Sequence, residues 1–132
     1  MSSRNQHFRK MTEEDREAVT GMMRVFYSSP AVDTDGSEKI FNTDIDECLS
    51  DSPFLSGYVF VDDTDGVCGY AMLAHSFSTE YGRRCVWIED IFLKEEARGK
   101  GLADEFFEHI SRKYPDCILR LESENDNVRA MA

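Results

Sequence analysis

A short turn with two glycines connects a strand-like run to an amphipathic helix. Residues 84–93 (RCVWIEDIFL) have the apolar, β-branched and aromatic content of a strand. Residues 97–110 (ARGKGLADEFFEHI) follow, and Gly99 and Gly101 stand on either side of a lysine. A turn of this kind at the start of a helix presents free backbone N–H groups where the helix dipole is positive. We therefore expect an anion-binding turn whose ligand carries phosphate.

The helix after the turn is indicated by an apolar stripe and by charges that match its dipole. The apolar positions recur at three- and four-residue spacing and are Leu102, Ala103, Phe106, Phe107, Ile110 and Tyr114. Acidic residues occupy the first turn and basic residues the last, which is the favourable arrangement at both ends of a helix. Pro115 then ends the helix.

Three strand-like runs predict an antiparallel meander before the turn. Residues 57–61 (GYVFV) and 67–75 (VCGYAMLAH) flank the sequence DDTDG, whose Asp65-Gly66 pair is a strong hairpin signal. The run 84–93 follows as the third strand, and residues 117–121 form one more strand after the helix. The remaining sequence, ESENDNVRAMA, is expected to begin another helix.

The first 50 residues predict a short strand, a helix and a long loop. Residues 7–11 are an edge strand, and Thr12 with Asp15 forms a variant capping box for a helix that ends near Tyr27. Residues 29–44 are rich in Ser, Asp and Gly and predict a surface loop, followed by a short helix through Leu49. This loop is either a lid or a plain connection.

Composition bounds the class of protein and of ligand. A length of 132 residues suits a single domain, residues 1–132, and no apolar run approaches the ~20 residues of a membrane span. A formal charge of -11 disfavours nucleic acid and suits a cationic ligand, although the acid excess could equally serve solubility alone.

The beginning of the chain has no secretory pattern, so we expect a cytoplasmic protein. The four cysteines lie far apart without a CxxC pair, so neither a disulfide nor a metal site is expected.

Two nucleotide-binding motifs do not fit the turn. The P-loop pattern GxxxxGK[ST] is absent from the sequence. Gly99 and Gly101 give the GxG of a dinucleotide fingerprint, but Asp104 stands where the third glycine is required. The preceding strands also predict a meander, which is not the βαβ unit of that fold.

The turn resembles the signature of the GNAT family of N-acetyltransferases. Arg98, Gly101 and Ala103 match its pattern [Q/R]-x-x-G-x-[G/A], and the order of predicted elements agrees over most of the chain. The resemblance implies an α/β (α+β) fold with a mixed, mainly antiparallel central sheet flanked by helices. It also implies acetyl-CoA as cosubstrate and no metal. The residues that it assigns to acetyl-CoA, by main chain or side chain, are Ile91, Phe92, Leu93, Arg98, Gly99, Lys100, Gly101, Leu102, Ala103, Asp104 and Asn127.

The stretch FSTEYGRRCVWIEDIFL is similar to the diamine and polyamine acetyltransferase branch, where a comparable strand carries an acidic pair. A primary amine has a pKa of roughly 10 and must lose a proton before it attacks a thioester. The resemblance gives Glu89 this catalytic role, and assigns Asp90 and Tyr27 to the amine substrate. Strand alternation places Glu89 and Asp90 on opposite faces unless a bulge intervenes.

The resemblance also implies what should follow the sequence Asn127-x-x-Ala130. In the family a tyrosine and two strands usually come next, and that tyrosine often protonates the leaving thiolate. The sequence ends at Ala132, so we expect a C-terminally truncated version of the domain. An open sheet edge favours strand pairing, which makes a homodimer an expectation.

Three function classes stay open on the sequence alone. The first is an acetyl-CoA-dependent N-acetyltransferase acting on a small cationic primary amine by direct attack. The second is a non-catalytic CoA-binding or regulatory module, which predicts binding without turnover. The third is an interaction protein that keeps only the fold.

Overall fold

The computed structural model describes residues 6–28 and 38–121, which contain a five-stranded sheet. The strands run in sequence order across the sheet and are β1 (Phe8–Lys10), β2 (Leu55–Val61), β3 (Val67–Ser78), β4 (Arg83–Leu93) and β5 (Ile118–Leu121). Neighbours from β1 to β4 are antiparallel, and β5 is parallel to β4. The predicted fold class, a mixed and mainly antiparallel sheet with helices, is confirmed. That residues 1–132 form a single domain stays a prediction.

The described residues form three α-helices that cover the sheet: α1 (Arg16–Tyr27), α2 (Glu38–Leu49) and α3 (Leu102–Lys113). Short 3-10 turns, Glu13–Asp15 and Glu95–Ala97, precede α1 and the glycine turn. Residues of α1 and α2 belong to the core on one face of the sheet, and residues of α3 to the core on the other. In the described ranges, no helix is long and apolar enough to cross a membrane.

The helix α2 corrects the prediction of a loop over residues 29–44. It begins at Glu38 because Phe41, Ile45 and Cys48 recur at helical spacing and are all buried against the sheet. The polar residues between them are exposed or only partly buried, and their composition hides the apolar stripe in the sequence. Residues 29–37 lie outside the described part, so the lid alternative stays a prediction.

The core under α3 is built around Phe106, whose side chain is fully buried. Its ring meets those of Phe8, Tyr58 and Phe60 at centroid distances of 5.3, 5.2 and 5.3 Å, all in edge-to-face arrangements. Such pairs add about 0.5–1.5 kcal/mol each beyond area burial. The helix that follows the glycine turn is thus held firmly on the sheet, as its apolar stripe predicts.

The entry to α1 is fixed by the carboxylate of Asp15. This carboxylate accepts hydrogen bonds from the Thr12 backbone N–H at 2.8 Å and from the Thr12 hydroxyl at 3.1 Å. Arg9 of β1 donates to both of its oxygens, at 2.8 and 3.0 Å. The predicted capping residues are therefore confirmed, with an added tie from the helix entry to the edge strand.

Gly69 on β3 allows close contact with β4, and its replacement should be costly. A Cβ at this position would lie 2.5 Å from the Phe92 carbonyl oxygen and 2.7 Å from the Leu93 side chain. We expect Gly69→Ala to lower the free energy of unfolding by about 1–3 kcal/mol, because backbone must shift to relieve the overlap. Urea unfolding followed by circular dichroism measures it.

Gly21→Ala is the matched control for that substitution. Gly21 lies inside α1, and an added Cβ would meet only Arg24, at 3.9 Å. Alanine in this open helical position should stabilise by about 0.5–1 kcal/mol. Equal effects of the two variants would contradict the packing described at Gly69.

Candidate functional site

The glycine turn lies between the end of β4 and the first residue of α3. Gly99 and Gly101 adopt φ angles of +75° and +80°, a conformation that favours glycine. No atom lies within 4 Å of the position that a Cβ would take at either residue, so the outer side of the turn is open. This geometry favours glycine and leaves room for a ligand against the backbone.

Free backbone donors converge at this turn. Gly101 is the residue before α3, and its carbonyl accepts the first helical bond from Glu105 at 3.0 Å. Among the described residues, none accepts a hydrogen bond from the backbone N–H groups of residues 99–104. Donors at a helix start attract anions, because the helix dipole is positive there. The turn therefore has free donors where an anion could bind, and its role as a phosphate site stays a prediction.

Arg98 ties the turn to the end of β4. Its Nε donates to the Leu93 carbonyl at 2.9 Å, and its guanidinium lies 5.8 Å from the centroid of the Phe92 ring. Arg98 is nevertheless exposed, so it adds positive charge beside the turn. Lys100 and Asp104 are exposed as well, whereas Leu102 and Ala103 are buried in the core under α3.

The strands β4 and β5 part next to the turn. Their parallel pairing begins at Cys85 with Ile118 and ends at Ile88 with Leu121. Residues 90–93 continue β4 and pair with β3 on one side, but with no described strand on the other. Main-chain groups of the predicted segment 91–93 therefore border a gap in the sheet, and Arg98 already occupies the Leu93 carbonyl.

A β-bulge interrupts β4 at the acidic pair. Met72 of β3 lies opposite Asp90 and Leu73 lies opposite Ile88, so Glu89 is an extra residue without a β3 partner. Ile88 and Ile91 both face the α3 core, whereas Asp90 bonds to residues on the face of α1 and α2. The bulge thus removes the strict alternation that would have placed Asp90 beside Ile88.

Glu89 and Asp90 have opposite exposures. Glu89 is exposed at the bulge, whereas Asp90 is only 4% exposed. The carboxylate of Asp90 accepts hydrogen bonds from the Tyr27 hydroxyl at 2.8 and 3.1 Å and from the Tyr70 hydroxyl at 2.7 Å. Two predicted substrate residues, Asp90 and Tyr27, are therefore in contact with each other.

Burial raises the pKa of two carboxyl groups beside the bulge. Burial raises the pKa of Asp90 to about 6; the hydrogen bonds from Tyr70 and Tyr27 oppose this rise, and the charges of Asp44 and Glu89 add to it. Burial also raises the pKa of Asp44 on α2, with a further contribution from Glu89. Glu89 is therefore within electrostatic reach of both groups.

Sequence reasoning missed Tyr70 and Asp44 as members of this cluster. Tyr70 belongs to a strand run in which residues 68–73 are all buried, so nothing in the apolar pattern marks its hydroxyl. Asp44 fell in the segment predicted as a loop. Asn127 lies outside the described residues, and its predicted contact with acetyl-CoA stays a prediction. Within the described ranges, no group of three His, Cys, Asp or Glu side chains could hold a metal ion.

Solved structures share this fold at low sequence identity. A possible acetyltransferase from Clostridium difficile 630 is 17% identical, with a TM-score of 0.72 over 93% of this chain and 82% of that one. A predicted acetyltransferase from Clostridium acetobutylicum, crystallised with acetyl-CoA, is 12% identical, with a TM-score of 0.74 over 93% and 84%. At these identities the likeness shows the fold alone.

A ribosomal-protein-alanine N-acetyltransferase from Brucella melitensis biovar Abortus 2308 is also similar in fold. It is 13% identical, with a TM-score of 0.69 over 93% of this chain and 83% of that one. No curated protein matches the sequence. None of these similarities specifies an acceptor for this chain.

A family comparison covers nearly all of the sequence. The model of the acetyltransferase (GNAT) family matches residues 13–132. This range contains the glycine turn, the bulged strand and the gap between β4 and β5. The chain therefore belongs to the acetyltransferase (GNAT) family, and the predicted enzyme class, an acetyltransferase, is confirmed.

Proposed function

We propose that the chain transfers an acetyl group from acetyl-CoA to the primary amine of a small cationic molecule, similar to a diamine or polyamine. One observation carries this proposal: an open glycine turn, a gap between β4 and β5, and the exposed carboxylate of Glu89 lie along one stretch of the chain. Together they offer an anion site, exposed main chain and a proton acceptor, which are the parts that amine acetylation needs.

The turn fits the pyrophosphate of acetyl-CoA. The backbone N–H groups of residues 99–104 are free, and the Cβ positions of Gly99 and Gly101 are open. Arg98 and Lys100 add positive charge beside them in a chain whose overall charge is -11. The structure of the Clostridium acetobutylicum neighbour with acetyl-CoA supports this donor.

The edge of β4 that faces the gap fits the pantetheine arm of acetyl-CoA. The main chain of residues 91–93 borders the gap, and a pantetheine arm with its two amides can pair with such an edge as a short strand does. This placement brings the thioester toward the bulge. Backbone N–H groups at the edge would stabilise negative charge that develops on the thioester oxygen.

Glu89 is the proposed proton acceptor for the amine. The ammonium form cannot attack, so Glu89 takes its proton directly or through a water molecule. The neutral amine then forms the new C–N bond as the C–S bond breaks, and CoA leaves as a thiolate that takes up a proton. The acidic surroundings of Glu89, with Asp44 and Asp90 close by, favour the approach of a cation.

Comparison of acceptors tests the proposal. We expect thiol release from acetyl-CoA with diamines, polyamines or lysine analogues, and no release above background with the corresponding diols. The value of kcat/KM for the amine should rise with pH below the pKa of the amine, since the neutral form is the nucleophile. Acetyl-CoA binding without turnover for any amine would contradict the proposal and favour a binding module.

A further inference from the structure

The hydroxyls of two tyrosines hold one buried carboxylate between three elements of the fold. Tyr27 is the last residue of α1, Tyr70 lies on β3, and both donate to Asp90 on β4. Tyr70 is fully buried, and Asp90 is 4% exposed. A carboxylate in such a place is tolerated only when its oxygens are hydrogen-bonded, so the position of Asp90 is closely defined.

This carboxylate lies immediately beside the bulge. With strict alternation Asp90 would share the face of Ile88, under α3, where the core is apolar. Its hydrogen bonds exist only when the extra residue, Glu89, is accommodated before it. The contacts of Asp90 therefore favour the bulged register over the regular one, and the bulge leaves Glu89 exposed at the gap.

We infer that Tyr70 and Tyr27 are positioning residues, which hold Asp90 and thereby keep the β4 bulge that presents Glu89. Asp90 then acts through the backbone and does not itself contact the amine. The consequence for catalysis rests on the proposed function. The structural part does not, because it concerns the bulge alone.

The charged and titratable groups that surround Asp90 belong to all three elements packed against it and to β4 itself. Tyr27 faces it from α1, Asp44 and Cys48 from α2, Tyr70 from β3, and Glu89 precedes it on β4. The tyrosines donate to the ionised form and so lower its pKa. Loss of one donor must therefore raise the pKa of Asp90 above its value of about 6.

The first test needs no substrate. Carbon NMR of labelled aspartate follows the Asp90 carboxyl through a pH titration, and amide hydrogen exchange follows the backbone of residues 89–91. We expect Tyr70→Phe to raise the pKa of Asp90 and to speed exchange at these amides by about tenfold or more. Tyr58→Phe is the matched control, because it removes the hydroxyl of a buried tyrosine that packs under α3.

Two results would overturn the inference. One is a titration and an exchange rate that Tyr70→Phe leaves unchanged. The other is a raised pKa with unchanged exchange, because the tyrosine would then contact Asp90 without holding the bulge. Should Tyr70→Phe fail to fold, Tyr27→Phe serves the same test, since Tyr27 is only partly buried at the end of α1.

The second test separates positioning from contact in the active enzyme. Asp90→Asn should lower kcat by about tenfold or more while the KM of the amine changes little, because the amide weakens the hydrogen bonds that hold the bulge. A raised amine KM with an unchanged kcat would show direct contact and contradict the inference. An inactive wild-type enzyme would contradict the proposed function, while the NMR result still decides the role of the tyrosines.

Discussion

Replacing Glu89 with glutamine is expected to lower kcat by about 10²–10³-fold, which is the usual contribution of a well-placed general base. Glutamine keeps the size and exposure of the side chain but cannot take a proton from the ammonium. The dissociation constant of acetyl-CoA should change less than about twofold, because the glycine turn and the strand edge are untouched. Steady-state thiol release and calorimetric titration measure the two quantities.

Glu108→Gln is the control for this change. Glu108 is an exposed carboxylate on α3, paired with Arg112 at 2.9 Å on the helix surface. Its replacement alters net charge by the same amount as Glu89→Gln and should leave kcat within about twofold of wild type. Equal activity of Glu89→Gln and wild type would remove Glu89 from the mechanism.

The second large effect is expected at the glycine turn. Gly101→Asp should weaken acetyl-CoA binding by about 100-fold, roughly 2.7 kcal/mol, because a carboxylate would stand among the donors that face the pyrophosphate. Aspartate and asparagine tolerate a positive φ better than other residues, so the turn should keep its shape at a φ of +80°. Calorimetric titration with acetyl-CoA provides the measurement.

Two variants separate charge from backbone strain. Gly101→Asn has nearly the same shape without the charge, and we expect it to lose only about tenfold in affinity. Gly82→Asp places the same residue at a φ of +63° in the turn between β3 and β4, with open space around it. Its affinity for acetyl-CoA should be that of wild type. A Gly101→Asp variant that binds acetyl-CoA normally would exclude the turn as the pyrophosphate site.

Much of the sheet, the glycine turn and helix α3 could be predicted from the sequence. In these parts the local residue pattern matches the burial and the backbone conformation that the fold imposes. The Asp65-Gly66 pair marks the hairpin, and Asp65 adopts a φ of +67° at that turn. The stripe of α3 is apolar on one side only, so its buried positions Phe106 and Ile110 follow from spacing. The glycine turn was identifiable because a positive φ and free donors leave a signature in residue type.

The face of α1 and α2 was harder to predict because its decisive features are nonlocal. Helix α2 buries three residues within a polar sequence, so composition suggested a loop. The bulge at Glu89 arises from pairing with Met72 and Leu73 of another strand, and no residue type in β4 encodes it. The Tyr70 hydroxyl reaches Asp90 only after that pairing is set. The sequence therefore pointed to the acidic pair, but not to the different environments of its two members.

Titration of the purified protein with acetyl-CoA, followed in the same sample by thiol release on addition of a polyamine, tests the central claim most directly. We predict saturable binding at one site per chain, and thiol release that depends on the amine and yields its acetylated form. Absence of acetyl-CoA binding would contradict the assignment of the glycine turn and of the β4–β5 gap as the donor site.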